Sequence, residues 1–330
     1  MAPDGRGHGP REPLTLQRAW LVAALAEQLR AIWSDIAVNV FASPVPAASP
    51  DDEPSFLRGI AERVVVDAVD HLRDLPRTWE QRTAHTAVLP GVATKTSPTD
   101  VVTAADTALE ALVRARLAEL RPGDQVVGEE RGGAEGERGV TWLVDPIDGT
   151  VNFLYGLPWY AVSLAATRDG VSLAGVVAEP ASGRMWSAAR GGGATCDGQP
   201  LAATDVTDVA MTLLGTGFSY SALRRARQAS FIGGLLPRVR DVRRSGSSAL
   251  DVCAVAAGWL DAYVEHGTHW WDWAASALIA EEAGAVVRVP ERLGHPAADD
   301  GLGPDTLLVT APGVATSLAA LMRDLGAAAV

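Results

Sequence analysis

The segment Trp142–Thr150, WLVDPIDGT, closes an apolar run with two carboxylates, Asp145 and Asp148, three positions apart. Pro146 bars a helix between them and biases Asp145 towards extended backbone. Gly149 and Thr150 then permit a sharp turn, which can aim both carboxylates and the Ile147 carbonyl at one point. Hard oxygens gathered in this way are what Mg²⁺ takes; the plainer reading is an Asp-rich turn with Asp145 as a cap. Gly128-Glu129-Glu130 leaves the apolar run Gln125–Val127 with adjacent carboxylates that point to opposite sides. One can ligate a metal while the other lies behind it, although such a pair in isolation is usually a solvated loop. In Trp270–Ala275, Asp272 stands among bulky aromatics at a helix start. It is either an N-cap or a buried carboxylate that wants a cation. The segment Lys95–Asp106 places a lysine, two aspartates and several hydroxyls at the entrance to another helix. There Thr103 as cap, with Asp106 in the first turn, is the structural reading.

The elements that must position these residues follow from periodicity. Helices are predicted over about 55–74 and 103–120, and apolar runs at Gln125–Gly128, Val140–Val144, Tyr160–Thr167, Ser172–Val177 and Arg184–Ala189 read as strands. Beyond residue 200 the pattern alternates: strand Met211–Thr216, helices near 221–236 and 247–257, strand Leu260–Glu265, helix 272–283, strands Ala285–Val289 and Thr306–Thr310, and a last helix. An α+β half over 55–200 followed by an α/β half over 201–330 is the expectation. Residues 1–54 form an extension: a Gly-, Pro- and Arg-rich start, an amphipathic helical pattern over 14–41, and a proline- and acid-rich linker over 43–54. That helix is expected to pack on its own domain or on a dimer mate, with partner binding as the alternative.

Composition bounds the ligand. The 330 residues are 48% hydrophobic and 21% charged, with a formal net charge of −12, so nucleic acid is not the main ligand expected. An acidic chain that handles an anion must offset repulsion, and bound cations are one solution. Cys196 and Cys253 are too far apart for a redox or zinc motif, which suits a reduced compartment. The apolar stretch Trp20–Leu29 is interrupted by Glu27 and flanked by Arg18 and Arg30. It is too short and charged to span a membrane, and no small-residue cleavage site supports a signal peptide. The expected setting is cytoplasmic, without membrane association.

In their order and spacing, these four segments resemble the inositol monophosphatase family. Asp-Pro-Ile-Asp-Gly-Thr stands at 145–150, Gly-Glu-Glu at 128–130 and Trp-Asp-x-Ala-Ala at 271–275. The resemblance runs from about Phe56 to the C-terminus and takes in Arg243–Asp251 and Glu265–His269. It implies a layered αβαβα sandwich of the inositol monophosphatase and fructose-1,6-bisphosphatase type. It further implies a Mg²⁺-dependent, lithium-sensitive phosphomonoesterase, commonly dimeric, that acts on a small phosphorylated metabolite. Glu129, Asp145 and the Ile147 carbonyl resemble ligands of one Mg²⁺, and Asp145, Asp148 and Asp272 ligands of a second; a third ion would use Glu129 and waters. Thr150 held by Asp106 resembles the pair that orients and helps deprotonate the attacking water. Glu130 would stand behind the metals and Lys95 near the phosphate. Gly149 and Thr150 amides would donate to phosphate oxygens, and the Gly246-Ser247-Ser248 turn would hold the phosphate or a neighbouring oxygen.

The resemblance also implies a polyol substrate, because Glu265 matches a glutamate that accepts hydroxyls of an inositol ring; its plain alternative is an exposed strand-end carboxylate. Inositol monophosphate is the first choice of substrate. Histidinol phosphate, fructose 1,6-bisphosphate and 3′-phosphoadenosine nucleotides serve relatives, and a non-catalytic protein-binding scaffold is the alternative of another class. Glu265, and no evident basic cluster for a second phosphate, favour a monophosphate. Two positions depart from the family pattern: Ser248 replaces the usual alanine and Val151 a common second threonine. His269 is expected to pack or hydrogen-bond, and His266 to lie at the surface.

Overall fold

The computed structural model describes residues 52–74, 92–94, 101–134, 139–292 and 298–330. The helix expected over 14–41 and Lys95 lie outside these residues. So does the expected linker up to residue 51, but its end is anchored. Asp52 pairs with Arg121 at 2.6 Å and Arg168 at 2.5 Å, and Pro54 opens the first helix, where a missing N–H is harmless.

Helix α1 (Pro54–Asp74) buries Leu57, Ile60, Ala61, Val64, Val65, Ala68, Val69 and Leu72 along one stripe. A short antiparallel pair, β1 (Val92–Thr94) and β2 (Val101–Thr103), leads into α2 (Ala104–Leu120). The start of α2 is a capping box: the Ala105 and Asp106 amides donate to Thr103 Oγ1, and the Thr103 amide donates to Asp106.

A seven-stranded sheet follows: β3 (Gln125–Gly128), β4 (Thr141–Asp148), β5 (Ala161–Arg168), β6 (Val171–Ala178), β7 (Met185–Ala189), β8 (Ala194–Cys196) and β9 (Gln199–Pro200), in that spatial order. β3 and β4 are parallel and the other neighbours antiparallel. The six-residue helix α3 (Thr150–Tyr155) interrupts the run between β4 and β5.

The second sheet has five strands in the order β11-β10-β12-β14-β13: β10 (Leu213–Thr216), β11 (Asp241–Arg243), β12 (Ala262–His266), β13 (Val286–Arg288) and β14 (Thr306–Thr310). Between its strands lie α4 (Ala222–Leu235), α5 (Ser248–Ala256) and α6 (Trp270–Glu282), and α7 (Ala315–Asp324) follows β14.

Three apolar clusters stack these pieces in five layers. Along β4, Trp142 and Val144 pack with α1 and α2, while the alternate residue Leu143 packs with α5 and α6. The same central helices reach Tyr263, Leu307 and Val309 of the second sheet. On that sheet's far face, Leu214, Ala262 and Val264 pack with Phe231 and Leu235 of α4 and Leu318 and Met322 of α7. The order α1/α2, sheet, α5/α6, sheet, α4/α7 is the αβαβα sandwich.

Several boundaries differ from the sequence reading. β4 continues through Pro146 to Asp148, so both carboxylates belong to the strand. α6 starts at Trp270, with His269 as its N-cap, which makes Asp272 the third helical residue rather than the cap. β12 extends to His266, which is buried (4% exposed) under α4 and meets the Phe231 ring edge-on at 5.3 Å. His266 is therefore not a surface residue: one more residue of strand carries it beneath the helix. Among the described residues, no helix is long and apolar enough to cross a membrane.

Candidate active site

The end of β4 sets the geometry. Its pairing with β5 shifts between Asp145, opposite Ser163, and Asp148, opposite Ala161. The extra residue is a bulge, which bends the strand and re-aims its side chains. Asp145 is buried, and its Oδ1 accepts from the Ile147 amide at 3.1 Å. Gly149 follows with φ +92°, a left-handed turn that suits glycine. The turn brings Thr150 back so that its hydroxyl lies 3.0 Å from the Ile147 carbonyl and 3.3 Å from Asp106 Oδ1. Asp106 divides its oxygens: Oδ2 completes the capping box of α2 and Oδ1 faces Thr150. Both readings of Asp106, structural cap and partner of Thr150, coexist.

Glu129 leaves β3 towards the same cavity. Behind it stands Glu110, fully buried on α2, whose carboxylate accepts from the Glu130 amide at 2.8 Å, the Arg131 amide at 3.3 Å and Arg114 at 2.7 Å. Glu130 is not among the residues that line the cavity. Asp148 reaches the start of α5, where it accepts from Ser247 Oγ at 2.5 Å and from the Ala249 and Ser248 amides at 2.7 and 3.3 Å. A carboxylate at a helix N-terminus is favourably placed. Asp272, half-buried, accepts from the His269 amide at 2.7 Å. His269 is exposed and stacks its ring on Trp271 at 5.1 Å.

Glu129, Asp145, Ile147, Asp148, Gly149, Thr150 and Asp272 line one open cavity of about 380 Å³, together with Gly246, Ser247, Ser248 and Glu265. Its electrostatics are strained. Burial first, then the charges of Glu129, Asp148 and Asp272, push the Asp145 carboxyl well above the usual range. Burial and Glu129 do the same to Asp272. Burial raises Asp148 to about 7 against the pull of Ser247 and the α5 amides. Among the described residues, no three acidic, His or Cys side chains stand as a ready-made metal cage, since Asp148 and Asp272 are turned towards helix-start amides. The donor set is nonetheless all hard oxygen, and its mutual repulsion is what a divalent cation relieves. The residues fit Mg²⁺.

Four polar residues outside the sequence candidates hold this arrangement. Glu110 fixes the turn that carries Glu129. Asp251, buried on α5, accepts from Trp159 Nε1 at 3.1 Å. Asn152 donates to the Trp159 and Ser245 carbonyls at 2.7 and 2.9 Å, tying α3 to the 245–248 turn. Gln228 accepts from the Ser219 amide at 2.8 Å and donates to the His266 carbonyl at 3.3 Å, which holds the cavity-lining loop 217–221 against β12. Apart from Arg114 on Glu110 and the Trp159 carbonyl on Asn152, each partner lies at least nine residues away in sequence, so local pattern gives no signal for these roles.

The model of the inositol monophosphatase family matches residues 64–323. The inositol-1-monophosphatase of Mycobacterium leprae (strain TN) is 50% identical over 291 residues, covering 85% of this chain and 98% of its own length. The Mycobacterium tuberculosis (strain H37Rv) protein called inositol-1-monophosphatase SuhB is 47% identical over 294 residues, covering 84% and 97%. The solved structure of Mycobacterium tuberculosis SuhB aligns with a TM-score of 0.68 at 42% identity, over 84% of this chain and all of that one.

Proposed function

Because the chain belongs to the inositol monophosphatase family, we propose that it hydrolyses the phosphate monoester of a small polyol, with inositol monophosphate the first substrate. The observation that carries this reading is the contact between Thr150 and Asp106 at the edge of a cavity lined by five carboxylates. Glu129, Asp145, the Ile147 carbonyl, Asp148 and Asp272 are the proposed Mg²⁺ ligands, for two or three ions. When bound, the ions would offset phosphate charge and lower the pKa of water.

The chain's own residues then divide the remaining work. Asp106, fixed by the cap of α2, accepts a hydrogen bond from the Thr150 hydroxyl, so the lone pairs of the Thr150 oxygen can accept from and orient a water. The Gly149 and Thr150 amides and the Gly246-Ser247-Ser248 turn are the proposed phosphate contacts, with Lys95 nearby and Glu130 behind the acidic group. Glu265 accepts substrate hydroxyls. A carboxylate accepts several hydrogen bonds at once, which suits a polyol better than an aryl group. The open cavity of about 380 Å³ admits a small metabolite.

Cys196 and Cys253 are free thiols, in keeping with a reduced, cytoplasmic setting; a homodimer is the proposed assembly. Phosphate release from inositol, sugar, histidinol, nucleotide and aryl monophosphates, with Mg²⁺ and after EDTA treatment, tests the reading. Turnover should be highest on the inositol ester, vanish on chelation and be inhibited by Li⁺. Full turnover in EDTA, after removal of bound metal, would overturn it.

A further inference from the structure

Tyr263 and Glu265 are two apart on β12, so their side chains share the face turned to the central helices. The neighbouring parallel strand β10 makes room for them with Gly215, and Gly217, one residue past the strand's end, repeats the spacing. Gly215 pairs with Tyr263, and a Cβ there would lie 2.8 Å from the tyrosine ring. A Cβ at Gly217 would overlap the Glu265 carboxyl group. In that slot Tyr263 is 1% exposed and its phenol donates to Glu265 Oε2. Burial and the charge of Glu265 both raise the phenol well above its ordinary value, so it keeps its proton and acts as a donor throughout the working pH range.

We propose that Tyr263 is a positioning residue for substrate selection: its phenol occupies Oε2 of Glu265, the carboxyl group packs against Gly217 where a side chain would stand, and Oε1 is left to accept a substrate hydroxyl. This rests on the reading of Glu265 as the polyol contact. A carboxylate fixed at one oxygen offers the other in one direction, so it discriminates among hydroxyl arrangements as a freely turning one cannot.

The test is kcat/KM for inositol monophosphate and for 4-nitrophenyl phosphate in the parent, Tyr263→Phe, Glu265→Ala and the double variant, all with Mg²⁺. The ratio of the two values should fall roughly 10- to 150-fold in Tyr263→Phe, the scale of one hydrogen bond to a charged group, and the fall should sit in KM. In the Glu265→Ala background, Tyr263→Phe should move the ratio no further, which a merely structural tyrosine would not show. A ratio that falls in Glu265→Ala but is unchanged in Tyr263→Phe overturns the clamp and leaves the polyol contact standing. A ratio unchanged in Glu265→Ala overturns the polyol contact and the clamp with it. Because both substrates are read on one preparation, the folded fraction cancels. Should Tyr263→Phe yield no folded protein, Gly217→Ala presses on the same carboxylate: the same fall is expected, and an unchanged ratio is the contrary result.

Discussion

Burial, Glu129, Asp148 and Asp272 all oppose the ionisation of Asp145. Replacement by the neutral isostere should therefore separate stability from function. Without divalent metal, Asp145→Asn should melt above the parent, since a buried charge among like charges is removed. With Mg²⁺ the parent should gain stability by binding and the variant far less, while turnover is nearly abolished. Melting curves in EDTA and in Mg²⁺, alongside phosphate release, check this; a variant with the parent's full Mg²⁺-induced rise would contradict the ligand assignment. Asp145, Asp148 and Gly149 were legible in sequence because the chemistry is packed into six consecutive residues, 145–150. Glu110 was not: on α2 it reads as solvent-facing, and it is buried because backbone amides 20 and 21 residues away turn towards it. The Thr150–Asp106 pair was reached through family resemblance; no local rule joins residues 44 apart.

At the scale of elements, the alternation of apolar residues located the strands and helices well, and the departures have local causes. Pro146 lies inside β4 because the strand bulges there, where a lost ladder bond is tolerated. His269 caps α6 through its backbone, which moved the helix start ahead of Asp272. The added residue of β12 has a measurable consequence at His266. Burial lowers its pKa from 6.5 to about 4, with Arg224 and Arg288 adding to the effect and Asp305 opposing it. Between these values the unfolded chain binds a proton that the folded chain refuses, so stability is full above pH 6.5 and declines as pH falls towards 4. By pH 5 this amounts to on the order of 1–2 kcal/mol. Urea unfolding at pH 7 and pH 5 should show a smaller acid loss in His266→Gln than in the parent by about that amount. Carboxylates common to both cancel, so equal losses would mean that His266 titrates normally.

Across the whole molecule, the site is assembled from both sheets. The first supplies Glu129, Asp145 and Asp148, the central helix α6 supplies Asp272, and β12 of the second supplies Glu265. A net charge of −12 is compatible with an anionic substrate when cations sit among those carboxylates. Every proposed site residue lies at or beyond residue 95, so deletion of residues 1–50 should leave Mg²⁺-dependent hydrolysis in place, though assembly can change. A folded deletion variant with unaltered oligomeric state and no turnover would assign the extension a part in the site. Only the fold brings together Thr150 at the start of α3 and Asp106 at the start of α2. General-base assistance contributes on the order of 100- to 10,000-fold, and groups that act as one unit lose it once. The direct measurement is kcat for inositol monophosphate in Thr150→Ala, Asp106→Asn and the double variant at saturating Mg²⁺. Each single change should lower kcat within that range, and the double variant should be little worse than either; losses that multiply would contradict a coupled Thr150–Asp106 pair.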